Sequence, residues 1–132
     1  MDPQQFKHFI DGEFVSSTKT FEKYRPTDSV LVGHIHEGGQ SEVNAAVAAA
    51  RAAMKGPWGK MTVEQRVDLL YKVADEITRR FDDFVTAELN DIGQPLSMLE
   101  HVAIPRGAAN FKIFADVVKN VPSESFMTST PD

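Results

Sequence analysis

The stretch IPRGAANFKIFADVVKNVP, residues 104 to 122, sets an arginine and, four residues on, an asparagine on one face of an otherwise apolar helical pattern. A guanidinium offers a planar fork of N–H donors and an amide adds a further polar group, so Arg106 and Asn110 can converge on one anion. In the opening turn of a helix such a positive charge is unfavourable by roughly 0.3–1 kcal/mol, because the free backbone N–H groups there are already partly positive. Arg106 therefore calls for something negative. The spacing leaves three partners open: Glu100 in a surface ion pair of little energetic worth, a partner chain, or a carboxylate ligand.

Other constellations point to structure before chemistry. His34 and His36 stand two apart in a strand-like run and would share a face, but His8 and His101 are remote and supply no ligand spacing, so no metal site is predicted. Gly33 and Gly38-Gly39 match neither the dinucleotide fingerprint nor the P-loop, and no nucleotide cradle is expected. Asp91, just before the Ile92-Gly93 helix stop, can accept from loop N–H groups or hold a cation. Trp58 reads as an anchor for an interhelix turn. The chain has no cysteine, which removes disulfides, thiolate metal sites and a cysteine nucleophile together.

These residues need a scaffold, and 132 residues suffice for one ordinary domain. With 42% hydrophobic and 25% charged residues the composition is that of a globular protein, and the formal charge of −5 argues against nucleic acid as a partner. No window is long and apolar enough for a membrane span and the N-terminus has no export pattern, so a cytoplasmic protein without a membrane partner is expected.

Asp11-Gly12 inside FIDGEFV predicts a tight hairpin, and TFEKYRP with VLVGHIH predicts a second, turning at PTDS. From Ser41, taken as a cap, an alanine-rich helix runs with Val43, Ala46, Val47, Ala50 and Met54 on one stripe and stops at Gly56-Pro57. Thr62 to Gln65 forms a capping box opening a second helix with Leu70, Val73, Ala74, Ile77 and Phe81 inward. Asp82 or Asp83 caps a third, with Phe84, Val85 and Leu89 inward, that ends at Gly93 and Pro95. A fourth runs from about His101 to Asn120, with Phe111, Phe114, Ala115 and Val118 as its core side and Pro122 closing it. The predicted class is α+β and mainly helical: two short N-terminal β-hairpins, then four helices.

The segments FIDGEFV, TFEKYRPTDSVLVGHIHEGGQSEVNAAVAAARAAM, PWGKMTVEQRVDLLYKVADEI and AELNDIGQP, in this order and spacing, resemble the N-terminal region of the NAD(P)-dependent aldehyde dehydrogenase superfamily. Only DIGQP departs, standing where many members have threonine or asparagine before the glycine and lysine before the proline. IPRGAANFKIFADVVKNVP looks like the branch acting on muconic semialdehydes, which carry a carboxylate besides the aldehyde. The resemblance implies a parent of α/β aldehyde dehydrogenase fold. Residues 1–120 would be hairpins and helices flanking its NAD-binding domain, and residues 121–132 the start of the excursion toward the oligomerisation strands. It further implies Arg106 as the group that holds the substrate carboxylate, with Asn110 beside it. The cofactor would be NAD, bound by the parent and not by these residues, and the assembly a homodimer or homotetramer. The catalytic cysteine, glutamate and asparagine would lie beyond Asp132, leaving the 132 residues inactive alone. Two alternatives stand beside this: a dehydrogenase for a neutral aldehyde, and a non-enzymatic helical interaction module.

Overall fold

The computed structural model describes residues 4–121. Asp11 and Gly12 both take positive φ (52° and 83°), the conformation that lets a two-residue turn follow the strand twist, and they join β2 (His8–Ile10) to β3 (Glu13–Val15) with Phe9 opposite Phe14. The second hairpin pairs β4 (Thr20–Tyr24) with β5 (Leu31–His36). Its turn is held by Asp28, whose carboxylate accepts from Val30 N–H at 3.2 Å and Arg25 Nε at 2.9 Å. The sequence pattern did not predict β1 (Gln4–Phe6), which pairs in parallel with β5 and completes a three-stranded sheet of order β1-β5-β4.

Helix α1 (Gln40–Ala53) is capped two residues before the expected Ser41: Gly39 is the cap residue, and Glu42 reaches back to accept its N–H at 2.7 Å. Ser41 instead donates to Glu42. The one-turn α2 (Pro57–Lys60) follows, with Pro57 in its first turn, where a missing N–H costs nothing. Thr62 caps α3 (Val63–Arg79) as the capping box requires: its hydroxyl accepts from Gln65 N–H and Gln65 Oε1 accepts from Thr62 N–H. Helix α4 (Phe81–Ile92) starts earlier than predicted, because Arg80 alone separates it from α3 and leaves no room for an extended cap at Asp82 or Asp83. Asp83 pairs with Arg80 at 2.9 Å instead. Gly93, at φ +66°, ends α4 as expected.

The fourth long helix departs most from its sequence reading. It is preceded by a turn at Leu96–Met98 (α5) and a π-helical turn at Leu99–Ala103, so the helical path into α6 (Ile104–Asn120) starts well before His101. An α-helical proline presses its ring on the carbonyl four residues back; Pro105 is the second residue of α6, and that carbonyl, of His101, belongs to the wider π turn. Ile104, Ala108 and Ala115 are the buried face of α6, and α3 is the element it packs against most extensively, with Val67 and Ala74 buried on that side. Phe114 and Val118, expected inside, are exposed (65% and 54%), because small alanines make the contact with α3 and the larger side chains fall elsewhere on the helix. Val73 of α3 is likewise exposed.

The core is small. Val85, Leu99 and Ile104 form its centre, with Ile77, Phe81, Phe84 and Leu89 packed around them. The predicted closure at Pro122 and the strand excursion at 121–132 fall almost wholly outside the described residues. No helix among them is long and apolar enough to cross a membrane.

Candidate functional site

Arg106 is exposed on α6, on the side opposite the Ile104, Ala108 and Ala115 face that meets α3. Its strip is continued at helical spacing by Asn110, Ile113, Phe114 and Val117. These three apolar residues are each half exposed or more and make a ridge with no covering layer among the described residues. Arg106 and Asn110 thus head a largely apolar strip instead of joining a charged, solvated face.

Arg106 does not stand at a free helix start. Because the π turn feeds α6, Ile104 N–H already donates to Leu99 C=O and Pro105 carries no N–H, so the partial positive charge of a free helix end is largely spent there. Of the three partners left open for Arg106, Glu100 does not pair with it: among the described residues the ion pairs are Lys23–Asp91, Arg25–Asp28, Arg79–Glu76, Arg80–Asp83 and Lys112–Asp75. Arg106 has no hydrogen-bond or ion-pair partner among those residues.

Asp91 holds a cation, and the cation is internal. Lys23 of β4 sets its ammonium 2.6 Å from Asp91 Oδ1 and donates to Asp91 C=O at 2.7 Å. Arg25 donates to Asn90 Oδ1 at 3.1 Å beside it. Together they clamp the last turn of α4, where free carbonyls favour positive charge, onto the sheet. Sequence reading missed this clamp, since 68 positions separate its main partners and no local signal links them.

His36 is tied into the fold, its Nδ1 accepting from Ser17 N–H at 2.9 Å; among the described residues no group of three metal-ligating side chains assembles. Trp58 anchors the α2–α3 turn, its ring under the Arg66 guanidinium at 5.3 Å while Arg66 donates to the carbonyls of Trp58 and Gly59.

A half-open cleft of about 460 Å³ lies between the sheet and α4, lined by Phe6, Val32, Ile35 and Phe84 with Lys23 and Asp91 among its polar groups. Arg106 and Asn110 do not line it. The cleft's lysine is already paired with Asp91.

Residues 14–132 match the sequence profile of the aldehyde dehydrogenase family. The chain is 54% identical over 131 residues to 2-hydroxymuconic semialdehyde dehydrogenase of Pseudomonas sp. strain CF600, covering 98% of the chain and 27% of that protein. It is 44% identical over 129 residues to 2-aminomuconic 6-semialdehyde dehydrogenase of a Pseudomonas species, covering 98% and 26%. Among solved structures, the NAD+ complex of the Bacillus cereus aldehyde dehydrogenase superposes with a TM-score of 0.87 at 32% identity, over 96% of this chain and 26% of that one. The chain therefore spans about a quarter of the length of the relatives it matches.

Proposed function

The chain belongs to the aldehyde dehydrogenase family, and from that premise we propose that it is the N-terminal part of an NAD-dependent enzyme that oxidises 2-hydroxymuconic semialdehyde, or a close carboxylate-bearing relative, to the corresponding acid. The observation that carries the substrate class is the setting of Arg106. It is a planar, permanently charged donor with Asn110 one turn on, it has no partner among the described residues, and it stands on the strip of α6 that α3 leaves open. Covering that strip takes the guanidinium out of bulk water, where only an anion compensates it. A carboxylate held by the fork fixes the far end of the substrate and so orients the aldehyde. Asn110 supports this by hydrogen bonding to the carboxylate or by steadying the guanidinium.

In this reading the thiolate that attacks the aldehyde, the donors that stabilise the resulting oxyanion, the acid-base glutamate and the cofactor-binding turn come from the remainder of the polypeptide, since this chain has no cysteine. When bound, NAD accepts the hydride. The part played by the present residues is recognition, and the 132 residues alone do not turn over. The parent acts as a homo-oligomer in the cytoplasm. An independent interaction module accords poorly with so much uncovered apolar side chain on α1 and α6.

Replacing Arg106 with Leu in the complete enzyme tests the substrate class. The expected result is a fall in kcat/KM of about a hundredfold or more toward the carboxylate-bearing semialdehyde, with little change toward a neutral aldehyde of similar size. Equal effects on both substrates would remove the carboxylate from the reading and leave an aldehyde dehydrogenase of different preference.

A further inference from the structure

Asparagine is a poor helix former, because its amide competes for nearby backbone groups. Helix α6 carries two of them. Asn120 stands at the C-terminal end and donates to Asp116 C=O at 2.7 Å. Asn110 stands mid-helix, is exposed, and spends its amide on nothing among the described residues. The other polar side chains of the helix have their own uses. Lys112 pairs with Asp75, Asp116 accepts from Tyr71, and Lys119 lies in the last turn, where free carbonyls favour positive charge. That leaves Arg106 and Asn110, ~6 Å apart along the helix axis. Ile113, Phe114 and Val117, which continue their strip, have no polar side-chain atom.

In a 2-hydroxy acid the substituted carbon is bonded directly to the carboxylate carbon, so the hydroxyl lies beside one carboxylate oxygen. A carboxamide matches that pair, since its N–H and C=O project side by side in one plane. We infer that Asn110 determines specificity for the group next to the substrate carboxylate: its Nδ2 donates to a carboxylate oxygen held by Arg106, while its Oδ1 accepts a hydrogen from a hydroxyl or amino group on the adjoining carbon. The inference rests on the reading of Arg106 above and adds a second feature that the site requires of its substrate. With a plain C–H at that carbon, Oδ1 is left unpaired in a covered, apolar setting, and the loss falls on that substrate alone. The two Pseudomonas relatives are named for semialdehydes that differ at this position, hydroxyl in one and amino in the other. Both groups carry a hydrogen that an amide oxygen accepts.

The test uses the complete enzyme and two aldehydes, 2-hydroxymuconic semialdehyde and the same unsaturated semialdehyde with hydrogen in place of the 2-hydroxyl, and follows NADH by absorbance. The parent should prefer the hydroxylated aldehyde in kcat/KM by at least about tenfold, and Asn110→Leu should shrink that preference to about twofold or less, through loss on the hydroxylated aldehyde alone. Leucine is a good helix former and suits the apolar strip, so helix content by circular dichroism should match the parent. No preference in the parent would overturn the inference. So would equal losses on both aldehydes in Asn110→Leu, the behaviour of a residue that only steadies the guanidinium. Arg106→Leu separates the two claims: it should weaken both aldehydes, which share the carboxylate, and spare a neutral one. If it weakens all three equally, the carboxylate reading falls and takes this one with it. If it behaves as expected while Asn110→Leu keeps the parent's preference, the role of Asn110 falls and that of Arg106 stands.

Discussion

Tyr71 donates its hydroxyl to the Asp116 carboxylate and Lys112 pairs with Asp75 at 2.9 Å, two polar ties across α3 and α6 that flank the alanine contact. The Tyr71–Asp116 hydrogen bond, aided by burial and by the neighbouring negative charge, raises the phenol above its ordinary value of 10.0, and Glu22 does the same for Tyr24. A raised folded-state value means that the fold favours the neutral phenol. The tie therefore contributes fully below about pH 10 and is lost as pH rises through the folded value. Absorbance titration should show both tyrosines ionising above 10, and Asp116→Asn should bring one of them down. No change in that variant would show that the bond does not form in solution. Residue types were legible in the sequence at this scale, and so was the shared face of Arg106 and Asn110. The absence of an ion pair with Glu100 and the Lys23–Asp91 clamp were not, because pairing over such distances depends on how elements dock.

Helix ends written into adjacent residues were read correctly, as the Thr62 box and the Gly93 stop illustrate. Thr62→Ala should cost about 1 kcal/mol by removing an acceptor from an otherwise free N–H. Gly93→Ala should cost about 1–2 kcal/mol for forcing a Cβ into the left-handed region. That Cβ would also meet Thr27 Cγ2 at 3.1 Å. Urea unfolding followed by circular dichroism measures both, and a Gly93→Ala protein as stable as the parent would contradict the turn geometry. Where a boundary depended on a neighbour, local reading failed. Ser41 lost the cap of α1 because Glu42 reaches Gly39, and Asp82 and Asp83 lost theirs because α3 and α4 nearly abut. Strand β1 is three residues without alternation, and its partner β5 begins 25 positions after β1 ends, so only tertiary pairing reveals it. On α6 the expected core side holds at the buried Ala115 and fails at Phe111, Phe114 and Val118, all exposed, for a related reason: the helix carries two apolar strips, and spacing cannot tell which has its partner at hand.

For the molecule as a whole, bare apolar surface predicts behaviour in isolation. The chain should bind a hydrophobic dye strongly and grow larger with concentration on a sizing column, and addition of the semialdehyde with NAD should produce no NADH. A monomeric chain without dye binding would favour the independent module. The π turn at Leu99–Ala103 has one more consequence at this scale. Such a turn behaves as a single extra residue wound into a helix, and one residue corresponds to a rotation of about 100° around the axis. It therefore acts as a phase setting: deleting one position there would spin the guanidinium of Arg106 about a quarter of the way round toward a different neighbour, with every side chain of the segment unchanged. Under the role proposed for Arg106, recognition would be written partly in angular bookkeeping, and a change of substrate would follow from a lost codon as readily as from an exchanged one.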